Sequence, residues 1–154
     1  MGKENKMKKL MFAAALAASA MIAQADVTWS WWLDKPDAKV DFSFGLASRC
    51  ANVETFELSL LYNGSPVQNG VQFAFMGIND SDKAQVLQLA PWFNRGDDSC
   101  VQLGFINTAK KNVFNLGFIN IADASKVQLG LLNFNKNGFL PVFPFINLDM
   151  SLFK

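Results

Sequence analysis

The sequence predicts an all-β protein made of short tandem repeats, with one strand per 13–16 residues. Three observations predict this. Val101-Gln-Leu-Gly-Phe-Ile-Asn107, Phe114-Asn-Leu-Gly-Phe-Ile-Asn120 and Val127-Gln-Leu-Gly-Leu-Leu-Asn133 are near copies of one unit. Gly104, Gly117 and Gly130 fall thirteen apart, as do Asn107, Asn120 and Asn133, and a fixed period marks a repeat architecture. Within each copy bulky apolar residues alternate with small or polar ones, the period of a strand with two different faces. Polar runs rich in Asn, Asp and Gly separate the copies, and these residues suit tight turns.

The N-terminus reads as an export signal. Lys3, Lys6, Lys8 and Lys9 precede an apolar stretch, Leu10 to Ala23, and Ala23-Gln24-Ala25 supplies a small-x-small cleavage pattern. Residues 1–25 are therefore expected to be a signal peptide, and 26–154 a single β-repeat domain. The apolar stretch is short and Ala-rich for a membrane-spanning helix. The processed chain has ten basic and twelve acidic residues, a net charge of about −2, which leaves no nucleic-acid footprint. Two cysteines, Cys50 and Cys100, would meet an oxidising compartment after export and are candidates for one disulfide.

Looser copies precede the three close ones: Phe56–Asn63, Val71–Asn79 and Leu87–Asn94. A proline-bearing copy, Phe143-Pro-Phe-Ile-Asn147, closes the series. One face carries Phe42, Phe44, Phe56, Leu58, Phe73, Leu103, Leu116 and Leu129; the other carries Ser43, Glu57, Ser59, Gln72, Gln102, Asn115 and Gln128. The bulky face is expected to be the buried one. Runs such as Asn79–Lys83, Asn94–Ser99, Thr108–Asn112 and Ala122–Lys126 are expected to be turns.

One strand cannot bury three bulky side chains alone, so neighbours have to cover them. An antiparallel meander curling into a small barrel or roll does this. The alternative is a β-solenoid, which stacks Asn on Asn and Gly on Gly. Thr108–Asn112 offers almost no second apolar side, so the pattern favours the meander. An outer-membrane barrel, with bulky residues toward lipid, is a further reading. The apolar band from Val101 to Phe105 is short for one.

At these repeats the chain resembles a family of exported bacterial surface-repeat proteins, whose units read approximately Gly-Leu-Gln-x-Gly-Leu-x-Asn. The matching residues are Gly70-Val-Gln72, Val101-Gln-Leu-Gly104, Ile106-Asn107, Leu116-Gly117, Ile119-Asn120, Gln128-Leu-Gly130 and Leu132-Asn133. Leu140–Asn147 is similar to the family's C-terminal ending. The resemblance covers roughly residues 40 to 150, and departs from the pattern at Ser59, Ala74 and Pro91. It implies export and a surface or envelope location. It brings no catalytic residues.

The chain has no histidine, which excludes Ser-His-Asp and Cys-His catalysis and the commonest metal ligand. No catalytic, metal or cofactor residues are assigned, and no cofactor is expected. Asp80 with Asp82, Asp97 with Asp98, and Arg95-Gly96-Asp97 read as turn residues. Trp29 and Trp31 are expected to cover one end of the core, with Trp32 on the opposite face. The expected function is a non-enzymatic envelope or surface protein with a structural or interaction role. A small outer-membrane barrel and a barrel holding an apolar ligand are the alternatives. The envelope partner, an outer-membrane association and the number of subunits are not fixed by the residues.

Overall fold

The fold follows from one pairing rule. In β7 (Phe93–Leu103), β8 (Ile106–Leu116) and β9 (Ile119–Asn135), each residue pairs with the one thirteen positions later. Asn94 pairs with Asn107 and Asn107 with Asn120; Val101 pairs with Phe114 and Phe114 with Val127. Such a register is parallel, and it winds the chain into coils that rise about 4.8 Å each. The computed structural model describes residues 25–153. The expected signal peptide, apart from Ala25, lies outside the described residues.

Earlier coils obey the same rule with longer units. β1 (Val27–Trp32), β2 (Lys39–Ser48), β3 (Asn52–Asn63), the short β4 (Val67–Gln68) and β5 (Val71–Ala74), and β6 (Ile78–Leu89) stack in parallel ahead of β7. The result is a β-solenoid of about seven coils. β10 (Val142–Leu148) then reverses direction and runs antiparallel on β9. A short 3-10 turn, Met150–Phe153, ends the described chain.

The all-β repeat architecture is as the sequence predicts, in its solenoid form and not as a meander, barrel or roll. The physical reason lies in the interior. Each coil is flattened, and its two sides approach closely. Asn107 Nδ2 reaches across its own coil to Leu116 O (2.9 Å), and Gln102 Nε2 to Thr108 O (3.0 Å). Walls this close admit Asn, Gln, Ser, Ala and Gly, but not Phe. No second apolar side is needed, because the interior is polar.

The expected burial is therefore inverted. Gln68, Gln72, Gln88, Gln102 and Gln128 are fully buried, with Asn63, Asn79, Asn94, Asn107, Asn115, Asn120 and Asn133. Buried hydrophobic residues are few and small: Ala47, Cys50, Val53, Ala74, Ala84, Ala90 and Ala122. The bulky set faces outward. The runs expected as turns are the second side of each coil. Asn94–Ser99 lies within β7 and Thr108–Asn112 within β8.

Most of the interior amides bond to one another in ladders. Asn63 Nδ2 donates to Asn79 Oδ1, and the series continues through Asn94, Asn107 and Asn120 to Asn133, each step 2.8–2.9 Å. The glutamine ladder points the other way. Gln102 donates to Gln88, Gln88 to Gln72 and Gln72 to Glu57, each at 2.8 Å. Buried amides in such chains retain their hydrogen bonds and polarise one another. Gly104, Gly117 and Gly130 form the corner between the two sides. A Cβ at Gly117 would collide with Gly104 O and the Asn107 amide.

The last repeat copy, Phe143–Asn147, is the capping strand instead of another coil. Its pairing shifts between Phe143 and Phe145, around Pro144, and Phe145 takes φ 68°. Proline, a bulge and reversed direction are the means by which a sheet edge is blunted against further pairing.

Candidate functional site

The candidate site is an outer surface, built from the alternation that fills the interior. Once Gln102, Asn115 and Gln128 point inward, Val101 and Leu103, Phe114 and Leu116, and Val127 and Leu129 must point outward. Stacking then aligns these residues into columns running the length of the solenoid. Phe56, Val71, Leu87, Val101, Phe114 and Val127 form one column; Leu58, Phe73, Leu89, Leu103, Leu116 and Leu129 form the next. Ile146 and Leu148 of β10 extend both, by pairing with Leu129 and Val127. We call this surface the front face.

Aromatic residues tie the face together along and across coils. Phe105 stacks on Phe118 with centroids 4.8 Å apart, and Trp92 meets Phe105 at 6.4 Å. Trp29 lies 6.0 Å from Trp31, and Phe44 6.3 Å from Phe56. Even so, Leu116, Phe118 and Leu131 remain more than two-fifths exposed. A shallow apolar groove of about 240 Å3 crosses the face between Trp29, Phe44, Leu58, Leu60 and Phe75.

The front face carries no charge over most of its length. Val71–Ile78, Val86–Phe93, Cys100–Asn107, Val113–Asn120 and Val127–Asn135 contain no Asp, Glu, Lys or Arg. Charge gathers instead on the back face and its far corner. There Arg95 pairs with Asp80 (2.9 Å), Lys110 with Asp97 (2.5 Å) and Lys136 with Asp123 (2.6 Å). These pairs run from coil to coil, and being exposed they add little stability.

The residues singled out in the sequence fall as follows. Gly104, Gly117 and Gly130 line the interior corner, and Asn107, Asn120 and Asn133 are consecutive rungs of the asparagine ladder. Cys50 and Cys100 are free thiols, so the candidate disulfide does not form. The backbone N–H of Cys50 donates to Ser65 Oγ. Its coil is separated from the coil of Cys100 by two others, roughly 14 Å at the spacing of stacked strands, against less than about 7 Å between the Cα atoms of a bridge. Burial pushes the Cys50 thiol up from its ordinary value. The tryptophans do not cover a core: Trp29, Trp31, Trp32 and Trp92 are all exposed. Arg95-Gly96-Asp97 is part of β7, with Gly96 buried and both charged neighbours paired, and is not a turn.

Glu57 was legible as a member of the small-residue face but not as a buried acid. It accepts from Ser65 Oγ (2.7 Å) and Gln72 Nε2 (2.8 Å), and burial raises its pKa above the ordinary 4.5. Among the described residues no three of His, Cys, Asp and Glu are grouped to hold a metal, and no helix is long and apolar enough to cross a membrane. The interior is filled with side chains, so the apolar-ligand barrel and the outer-membrane barrel of the sequence reading are not this fold.

The fold and surface together define a β-solenoid repeat protein with a polar interior and an apolar face. Comparison with protein-family models, curated proteins and solved structures found no match in any of the three.

Proposed function

We propose that this is an exported, non-enzymatic protein of a bacterial cell envelope, with a structural or interaction role exercised through the front face. The observation that carries the reading is the uncharged apolar surface running along successive coils, with charge kept to the opposite side. Contiguous apolar patches of this extent on a monomer mark interaction sites. The signal-like N-terminus and the resemblance to surface-repeat proteins support the location. The absence of histidine from the sequence supports a non-catalytic role.

Expression in a bacterial host with fractionation tests this. The expected product begins at Asp26 and is recovered in the periplasmic or envelope fraction. Replacing Leu116 and Leu131 with Lys should change its partition between soluble and sedimenting envelope material. An unprocessed chain confined to the cytoplasm would overturn the location, and a partition unmoved by the double variant would overturn the role of the face.

A further inference from the structure

We propose that the front face packs against the front face of a second copy of this chain, forming a two-fold symmetric dimer. The inference rests on the reading of that face as the working surface, and it names the partner.

Three observations carry it. The first is the missing core. The buried hydrophobic residues of the described chain are Ala, Cys and Val only, while Phe, Leu, Ile and Trp lie outside. Globular chains draw most of their folding free energy from apolar burial, and this one leaves its largest apolar groups half in water. A second sheet laid over the first, about 10 Å away, is the standard way of burying such a surface.

The second is area. The face spans the stack from β1 to β10, about 40 Å at the spacing of strands, and is about 17 Å wide from Phe56 to the corner beyond Leu60. That gives roughly 700 Å2 per copy, close to the ~800 Å2 that each partner contributes to a specific, stable interface.

The third is charge. An uncharged surface is complementary to itself under a two-fold axis, which places the same patch on both partners. A lipid surface is the competing occupant. Proteins that lie on anionic membranes combine an apolar face with basic residues around it. Here the processed chain is weakly acidic, and Lys110 and Lys136 are engaged by Asp97 and Asp123 on the back.

Sedimentation velocity on the processed chain, over a range of concentrations, tests the proposal. The wild type should sediment as a dimer at micromolar concentration and dissociate on dilution. Leu116→Lys with Leu131→Lys should weaken the dimer at least tenfold and keep the β circular-dichroism signal. Ile121→Lys makes the same change on an exposed apolar residue of the back face and should leave the dimer intact. A wild type that stays monomeric at every concentration overturns the proposal without reliance on any variant. So does a dimer that survives the double front variant, or one lost equally in Ile121→Lys. Flotation with phosphatidylcholine vesicles is the separating arm. A monomer that floats with vesicles, and ceases to float in the front variant, overturns the second copy but keeps the front face as the working surface. If assembly, flotation and envelope partition all ignore the front variants, both readings fail.

Discussion

The glutamine ladder has one broken rung, and it is a matter of a single methylene. Asn115 stands where Gln72, Gln88, Gln102 and Gln128 stand in other coils, and its shorter side chain reaches neither neighbour. Both of its amide atoms are buried without partners, as are Gln102 Oε1 and Gln128 Oε1. Asn115→Gln should reconnect the ladder, since the register of β8 gives position 115 the same surroundings as positions 102 and 128. Restoring partners to buried polar groups is worth about 1–3 kcal/mol, so the urea midpoint should rise; an unchanged or lower midpoint would show that the ladder adds nothing at this coil. Glu57, at the other end of the same ladder, is a carboxylate in a nearly dry interior. Its folded pKa is raised, so the folded state holds the proton more tightly than the unfolded one. Its contribution to stability is then greatest in acid, below the unfolded value, and is lost as pH rises through the folded value. Glu57→Gln keeps an acceptor for Gln72 and removes the charge. It should raise Tm at neutral pH and flatten the dependence of Tm on pH above the ordinary carboxylate range. A steeper dependence, or a lower Tm at neutral pH, would contradict this.

At the scale of elements, the period was legible in the sequence and the inside of the coil was not. The thirteen-residue spacing of Gly104, Gly117 and Gly130 matches the register found, and alternation correctly separates Leu103 from Gln102. Alternation fixes two faces but does not say which is interior. The rule that bulky residues go inside failed because the coil is too flat to hold them. A signal was present: the inward positions repeat the same shapes, Gln on Gln and Asn on Asn, as ladders require, whereas the outward positions interchange Phe, Val and Leu. The corner is equally exacting. Gly117→Ala should cost about 1–3 kcal/mol by overpacking against Gly104 O, while Thr108→Ala, on the outer surface, should stay within about 0.5 kcal/mol. Equal denaturation midpoints for the two would remove the corner from the account. In sequence β10 looks like another repeat because Ile146-Asn147 copies the unit's ending, but reversal at Asn135–Pro141 cannot be seen in a local motif. A chain ended after Gly138 should lose solubility and bind thioflavin, because the parallel edge of β9 is then open. A soluble, monodisperse truncation would show that the cap is dispensable.

The molecule as a whole is an inverted protein, with hydrogen-bonded amides within and apolar side chains without. Stability comes from ladders and from stacked neighbours along the solenoid, where each coil contacts mainly the next. The outer face remains available for association. Side-chain amide hydrogen exchange followed by NMR tests the inversion directly, and a dimer formed through the front face does not disturb it. The carboxamide protons of Asn79, Asn94, Asn107 and Asn120 should be protected on the timescale of the backbone amides of β7 and β8. Exchange of those carboxamides at the rate of free asparagine would place them in solvent and contradict the polar interior.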